Sequence, residues 1–129
     1  MKKFNLLDCT LRDGGYYNNW DFNKNLIQKY LKAVESSNIK FVELGFRFKD
    51  LNKNKGLTAY TEDSLLNSLN IPNTINIGIM INASDIIENE KVNINFLNKI
   101  FPLKTSKKIK FIRIACHHNE VLKLNNFFK

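Results

Sequence analysis

The chain has 129 residues and a mass of 15.1 kDa, which allows one domain at most. Hydrophobic residues make up 43% and charged residues 25%, a composition that excludes a disordered tail and a fibrous repeat. The net charge is +8, but only Arg12, Arg47 and Arg113 are arginines and the lysines are scattered, so no nucleic-acid partner is predicted. A small basic binding module remains an alternative.

Cysteine spacing and hydropathy indicate the compartment. Cys9 and Cys116 lie far apart without a CxxC spacing, which is typical of reduced thiols in a cytosolic protein. Asn5 and Asp8 interrupt the first apolar stretch, so no signal peptide is predicted. No run approaches the roughly 20 apolar residues of a membrane span. We therefore expect a cytoplasmic protein with no membrane partner.

The first half of the chain predicts two strands and two helices. Residues 4–9 form an apolar strand, followed by a loop with the sequence TLRDGG. Five apolar residues share one helical stripe after Asn23, which can cap the helix, and a second, shorter helix starts at Thr61. The predicted ranges are a strand at 4–9, a helix at 23–38, a strand at 39–48, a loop at 49–56 and a helix at 61–69.

The second half repeats the pattern. Residues 75–82 alternate isoleucine with small or polar residues and predict a third strand, residues 84–101 are helical in parts, and residues 108–118 predict a fourth strand. Residues 103–111 are a basic approach to that strand, and residues 119–129 begin as a helix. Alternating strands and helices are typical of parallel βαβ units. TLRDGG lacks the GxGxxG spacing, so neither a Rossmann domain nor a nucleotide cofactor is predicted.

Three strands carry their polar or small residues on one face. A closed parallel barrel covers its outer face with helices, so these faces are predicted to point inward. The predicted fold class is α/β, with parallel β/α units forming the N-terminal half of a TIM (β/α)8 barrel. Residues 1–129 are interpreted as a partial barrel of about four βα units, truncated at the C-terminus, because a full barrel needs eight strands. The inward residues are Phe41, Glu43 and Gly45; Asn76, Gly78, Met80 and Asn82; and Arg113, Ala115 and His117, while Phe46 is predicted outside.

Charged residues near the predicted mouth of the barrel are candidates for ion pairing and metal binding. Glu43 would be buried in mid-strand, which is costly unless it is paired, and Arg12 and Arg113 are its candidate partners. Asp13 is a hard oxygen ligand for a divalent ion. The alternatives are that Glu43 and Arg12 form a purely structural pair and that Asp-Gly-Gly is only a turn.

Neighbouring residues complete the candidate pocket. Gly14 and Gly15 would let the backbone approach a substrate closely. His117 and His118 are adjacent and would point to opposite sides of a strand, so they cannot both bind one metal ion. We therefore interpret His117 as a pocket residue.

Three stretches together resemble a known family. LLDCTLRDGG at residues 6–15, VELGF at 42–46 and FIRIACHHNE at 111–120 resemble the DRE-TIM metallolyases, the HMG-CoA lyase-like or pyruvate carboxyltransferase-domain family. They are most similar to its 4-hydroxy-2-oxovalerate aldolase branch. The resemblance spans nearly the whole chain and corresponds to the N-terminal half of the family's barrel. It implies a metal-dependent aldolase or lyase that makes or breaks a C–C bond next to the carbonyl of a small 2-oxo acid.

The resemblance also implies roles for individual residues. Arg12 would stabilise an enolate, Asp13 would bind Mg²⁺ or Mn²⁺, and Glu43 would hold Arg12. The aldolases have a histidine base where this chain has GYY, so Tyr16 is the nearest candidate base. The alternative is that Tyr16, Tyr17 and Trp20 are lid or core aromatics. Gly15 and Tyr16 replace the Glu-Gln of the synthases, which argues against an acetyl-CoA-dependent synthase.

The family's His-x-His metal ligands belong to a later strand, so weak or no catalysis is expected of this chain alone. Two further alternatives follow. The chain could be a truncated, non-catalytic fragment. It could also be a half-barrel that forms a homo-oligomer or pairs with a complementing chain.

Overall fold

The strands predicted by the sequence form one parallel sheet. The computed structural model describes residues 4–51, 54–102 and 107–125. In chain order the elements are β1 (Leu7–Asp8), α1 (Thr10–Asn18), α2 (Lys24–Ser36), β2 (Phe41–Phe46), α3 (Leu57–Tyr60), α4 (Asp63–Ser68), β3 (Asn76–Asn82), α5 (Ala83–Ile86), β4 (Ile87–Glu88), β5 (Lys91–Val92), α6 (Ile94–Ile100), β6 (Ile109–Ala115) and α7 (Val121–Asn125), with a 3-10 turn at His118–Glu120.

The sheet order confirms the predicted fold class. Four parallel strands lie in the order β1-β2-β3-β6, so within this sheet each strand pairs with the sheet strand that precedes it in the chain, as in the first half of a barrel. β4 and β5 form a separate antiparallel hairpin within residues 84–101, which were predicted to be helical in parts. Within the described segments, no helix combines the length and apolar character needed to cross a bilayer.

The start of the chain differs from the prediction. The first strand is confined to Leu7–Asp8, and Phe4 is 87% exposed. TLRDGG is not a loop, because α1 begins at Thr10 and continues to Asn18. The carboxylate of Asp8 accepts a hydrogen bond from the Thr10 N–H at 2.9 Å, which satisfies one free donor at the start of this helix.

The long predicted helix is confirmed as α2. Asn23 Oδ1 accepts a hydrogen bond from the N–H of Leu26 at 2.9 Å, which is the predicted cap. Ile27, Leu31 and Val34 are buried in a core cluster together with Val42, Leu44 and Ile77 of the strands. The amphipathic stripe therefore packs α2 against the outer face of the strands.

The following short helices were predicted less well. Thr61 was expected to cap a helix, but it ends α3 with a φ of 33°, and α4 begins only at Asp63. α3 itself has four residues, which is too short to give a helical periodicity in the sequence. The final predicted helix corresponds to α7, and residues 126–129 lie outside the described part of the chain.

A β-bulge changes which residues of β2 face inward. The register with β3 shifts between Glu43 and Gly45, so Phe46 pairs with Met80 and joins its cluster on the inner face. The prediction that Phe46 faces the helices is therefore wrong. Gly45 was predicted inside, but a Cβ there would lie 2.0 Å from the carbonyl oxygen of Thr58, on the side of α3.

Two basic side chains act inside the fold. Arg47 is 5% exposed, and its guanidinium donates to the carbonyl of Thr61 at 3.1 Å and to the carboxylate of Asp63 at 2.7 Å. Lys108 Nζ donates to the carbonyl of Leu66 at 2.9 Å, near the end of α4. One lysine of the predicted basic stretch at 103–111 therefore caps the end of α4. Residues 103–106 of that stretch lie outside the described residues.

Asp8 connects the start of α1 to α2. Its Oδ1 accepts a hydrogen bond from the Tyr30 hydroxyl at 2.5 Å as well as the one from Thr10. Burial raises the pKa of Asp8, but the hydrogen bonds from Tyr30 and Thr10 outweigh it and hold the pKa below its ordinary value. Burial and the bond to Asp8 together raise the pKa of Tyr30.

We expect Tyr30→Phe to destabilise the protein by about 1.5–3 kcal/mol at neutral pH, because a hydrogen bond to a carboxylate is lost. A depressed folded-state pKa contributes stability above the unfolded value of 3.8, and this contribution disappears as the pH falls through the folded-state pKa. The difference between Tyr30→Phe and wild type should therefore shrink below about pH 3.8. Urea unfolding between neutral and acidic pH measures this difference.

Tyr60→Phe is the matched control. The Tyr60 hydroxyl donates to the backbone carbonyl of Asp50 at 3.3 Å, an acceptor that does not titrate. Its effect should be independent of pH in this range. A Tyr30→Phe difference that stays constant from neutral to acidic pH would contradict the assigned role of Asp8.

Candidate functional site

A buried carboxylate lies between two guanidinium groups. The Glu43 side chain is 0% exposed, and its Oε1 accepts hydrogen bonds from Arg12 Nε at 2.6 Å and from Arg113 Nη1 at 3.3 Å. Oε2 also lies 3.3 Å from Arg113 Nη1 but makes no hydrogen bond with any described residue. The two positive charges offset the cost of burying the carboxylate. Three of the residues predicted from the sequence therefore meet.

Three different elements supply this cluster. Arg12 lies in the first turns of α1, Glu43 in mid-β2, and Arg113 on β6, which β3 separates from β2. On the intervening strand, Gly78 leaves room for the ring of Phe111, because a Cβ at Gly78 would lie 2.0 Å from that ring. The Arg12 side chain is 13% exposed and the Arg113 side chain 45% exposed, so the cluster opens to solvent on the arginine side.

Arg12 also binds the neighbouring acid. Its Nη1 donates to Asp13 Oδ1, and the Asp13 side chain is 62% exposed. Burial lowers the pKa of Arg12, but the hydrogen bond to Glu43 and the charges of Glu43 and Asp13 outweigh this effect and raise it. The guanidinium therefore carries a permanent positive charge between the carboxylates of Glu43 and Asp13.

The donor set around Asp13 does not form a metal site by itself. Within residues 4–51, 54–102 and 107–125, no group of three or more His, Cys, Asp or Glu side chains is placed to hold a metal ion. Asp13 is the one acid of the cluster with an exposed side chain, and it is paired with Arg12. Its assignment as a ligand of Mg²⁺ or Mn²⁺ stays a prediction.

Cys9 is a member of the cluster that the sequence interpretation missed. Arg113 Nη1 donates to Cys9 Sγ at 3.6 Å. Burial and the charge of Glu43 raise the pKa of the thiol and outweigh the two arginines. The thiol of Cys9 is therefore uncharged and lies at the side of the cluster next to Arg113. Its place directly before TLRD was the available signal.

Tyr16 lies one helical turn after Arg12 on α1, which puts both side chains on the same face of the helix. Its side chain is exposed, and its ring centroid is 4.8 Å from that of Trp20 and 6.2 Å from that of Phe46. A role as a base stays a prediction.

The two glycines of the motif have different surroundings. A Cβ at Gly15 would lie 1.9 Å from Trp20 Cδ1, so Gly15 makes room for the indole rather than for a substrate. A Cβ at Gly14 would meet only Phe22 Cζ within 4 Å, at an ordinary 3.7 Å. The pocket role of Gly14 stays a prediction.

His117 lies in a different hollow. This hollow has a volume of about 320 Å³, and its lining includes Asn82 and Ser84 but neither Arg12 nor Glu43. The backbone N–H of His117 donates to Glu120 Oε2 at 2.7 Å, which begins the turn before α7. The structure therefore brings together Arg12, Asp13, Glu43 and Arg113, but it places His117 outside their contacts.

Comparison with known proteins relates the fold to an aldolase. No protein-family model matches the chain, and no curated protein matches it. A solved structure described as "the N-terminal domain of a putative aldolase from Bacteroides vulgatus" is 34% identical, with a TM-score of 0.76 over 94% of this chain. The chain spans 38% of the length of that protein. The similarity gives an α/β fold of the aldolase type and a coarse aldolase-like relationship.

Proposed function

We propose that this chain supplies the anion-binding part of an aldolase or lyase site, in which Arg12 and Arg113 bind a small 2-oxo acid. The observation that carries the proposal is the wholly buried Glu43 carboxylate at 2.6 Å from Arg12 Nε. It orients the guanidiniums while their remaining N–H groups stay available to a ligand. The identity of 34% with the Bacteroides vulgatus protein supports the aldolase-like class.

The chemistry of C–C cleavage explains the need for two arginines. When the C3–C4 bond of a 4-hydroxy-2-oxo acid breaks, its electron pair moves to the C2 carbonyl and forms an enolate, while a base takes the proton of the C4 hydroxyl. A guanidinium held in place before the reaction stabilises the developing oxyanion without reorganisation. In this proposal Arg12 binds the oxyanion, Arg113 the carboxylate, and Glu43 positions both. Tyr16 is the candidate base.

The divalent metal expected from the resemblance stays a prediction. Asp13 supplies one carboxylate, and the described residues contain no complete set of ligands. No step of this proposal therefore passes through a metal ion.

Binding of oxalate, a planar dianion that resembles the enolate of a 2-oxo acid, tests the proposal. We expect saturable shifts of the arginine Nε–H signals in ¹⁵N NMR spectra, with affinity about tenfold weaker in Arg12→Lys, because lysine cannot reproduce the planar fork of donors. Wild-type affinity in Arg12→Lys would overturn the proposal.

Lys110→Gln is the matched control for charge. Lys110 lies on β6, as Arg113 does, but it is exposed and its Nζ donates to the carbonyl of Lys107. Its replacement should leave the affinity for oxalate unchanged, whereas Arg113→Gln should weaken it. Equal losses in the two variants would indicate non-specific attraction of the anion by the basic surface.

A second candidate function is pairing through the open edges of the sheet. β1 and β6 each have a neighbour on one side only within the described sheet, and Ile112 on β6 is 43% exposed. Edge strands of this kind can pair with a strand of another chain. We expect light scattering to give the mass of two chains. A folded monomer at all concentrations tested would contradict self-association.

A further inference from the structure

Trp20 is hydrogen-bonded to α1, the helix that carries Arg12, although it lies beyond the end of that helix. Its indole Nε1–H donates to the backbone carbonyl of Arg12 at 2.9 Å. Its backbone N–H donates to the carbonyl of Gly15 at 2.9 Å. The residue is 5% exposed. The indole therefore fixes the peptide group from which the Arg12 side chain extends.

The indole also packs against β2, the strand that carries Glu43. Its ring centroid lies 5.5 Å from that of Phe46 in an edge-to-face contact. The Arg12 guanidinium lies 6.0 Å from the same Phe46 ring. Trp20 thus bridges the two elements that hold the two ends of the Arg12–Glu43 ion pair.

The backbone at Trp20 is held in an unfavourable conformation. Asn19 and Trp20 have φ values of 56° and 57°, in the left-handed region that a bulky residue rarely adopts. Two contacts from the α3 region hold this turn: the Gly56 N–H donates to the Asn19 carbonyl at 2.8 Å, and Thr58 Oγ1 donates to the Trp20 carbonyl at 3.1 Å. A strained backbone that is held by such contacts indicates that the fold depends on the position of the Trp20 indole.

We infer that Trp20 is a positioning residue for Arg12. It sets the distance between α1 and β2 so that the Arg12 guanidinium meets Glu43 with its other donors directed at the ligand. The inference rests on the proposed anion-binding function and adds to it a residue that does not contact the cluster's charged groups directly. The consequence is that ligand binding at Arg12 changes the environment of the indole N–H.

Wild-type protein tests the inference without any substitution. Trp20 is the one tryptophan of the chain, so the ¹⁵N spectrum contains a single indole N–H signal. On addition of oxalate, that signal should shift with the same Kd as the Nε–H signal of Arg12. An indole signal that stays fixed while the Arg12 signal shifts would overturn the positioning role and leave the anion site intact. If neither signal shifts, the proposed function fails, and the positioning role fails with it.

Trp20→Phe provides the second measurement. Phenylalanine keeps an aromatic ring against Phe46 but removes the N–H donor, so we expect the Kd for oxalate to rise about fivefold, as for one lost neutral hydrogen bond. The matched control is Phe48→Leu, because the Phe48 ring contacts Trp20 at a centroid distance of 5.1 Å. This control should lower the melting temperature but leave the Kd unchanged. A Trp20→Phe variant with a lower melting temperature and wild-type affinity would show that Trp20 only packs.

Discussion

Glu43→Gln is expected to lower the free energy of unfolding by about 3–5 kcal/mol, because it breaks a buried ion pair by removing one partner. The Arg12 side chain is 13% exposed and would keep its charge with only the well exposed Asp13 as a carboxylate partner. A neutral amide can accept one hydrogen bond but cannot compensate that charge. Arg113 can turn towards solvent, since 45% of its side chain is already exposed, so most of the loss comes from Arg12. Urea unfolding measures the difference.

The control for Glu43→Gln is Glu88→Gln. Glu88 pairs with Lys49 at 2.8 Å, but both side chains are well exposed, and such surface pairs contribute little. We expect no measurable change in its unfolding curve. If Glu43→Gln were as mild as Glu88→Gln, the two arginines would not depend on the buried carboxylate, and the geometry of the proposed anion site would need another cause.

The two glycines of TLRDGG are expected to respond to alanine in opposite directions. At Gly15, a methyl group would lie 1.9 Å from the Trp20 ring, so Gly15→Ala should cost about 1–3 kcal/mol through overpacking. At Gly14 the methyl group finds ordinary contact distances, and alanine is the better helix former. Gly14→Ala should therefore stabilise the protein by roughly 0.5–1 kcal/mol.

Chemical denaturation of both variants, followed by Trp20 fluorescence, provides the measurement. Each variant is the control for the other, because the substitutions are identical and lie in neighbouring positions of α1. A displaced indole should also change the native emission spectrum of Gly15→Ala alone. Equal effects at the two positions would show that Trp20 does not rest on Gly15.

The candidate site could be predicted in part because of the regular alternation of strands. Glu43 and Arg113 lie on inward positions of their strands, and this parity alone was enough to predict that they share a face. Arg12 and Asp13 followed from their position after the first strand. For Cys9 the one signal was its place before TLRD, and the bond from Trp20 to Arg12 had no signal in the sequence, since both contacts depend on where α1 lies against β2 and β6.

The sequence by itself determined the elements whose signals are local. The stripe and cap of α2 and the alternating isoleucines of β3 arise from residues close to one another in the chain. The succession of strands and helices then predicted the parallel sheet. Only the tertiary structure decided the rest. TLRDGG becomes helical although glycine disfavours helices, because the buried Trp20 packs on Gly15 and bonds to Arg12. The bulge after Glu43 turns Phe46 inward, because one extra residue reverses the alternation of inward and outward side chains along β2. The bulge is stabilised by the packing of Phe46 against residues distant in the chain.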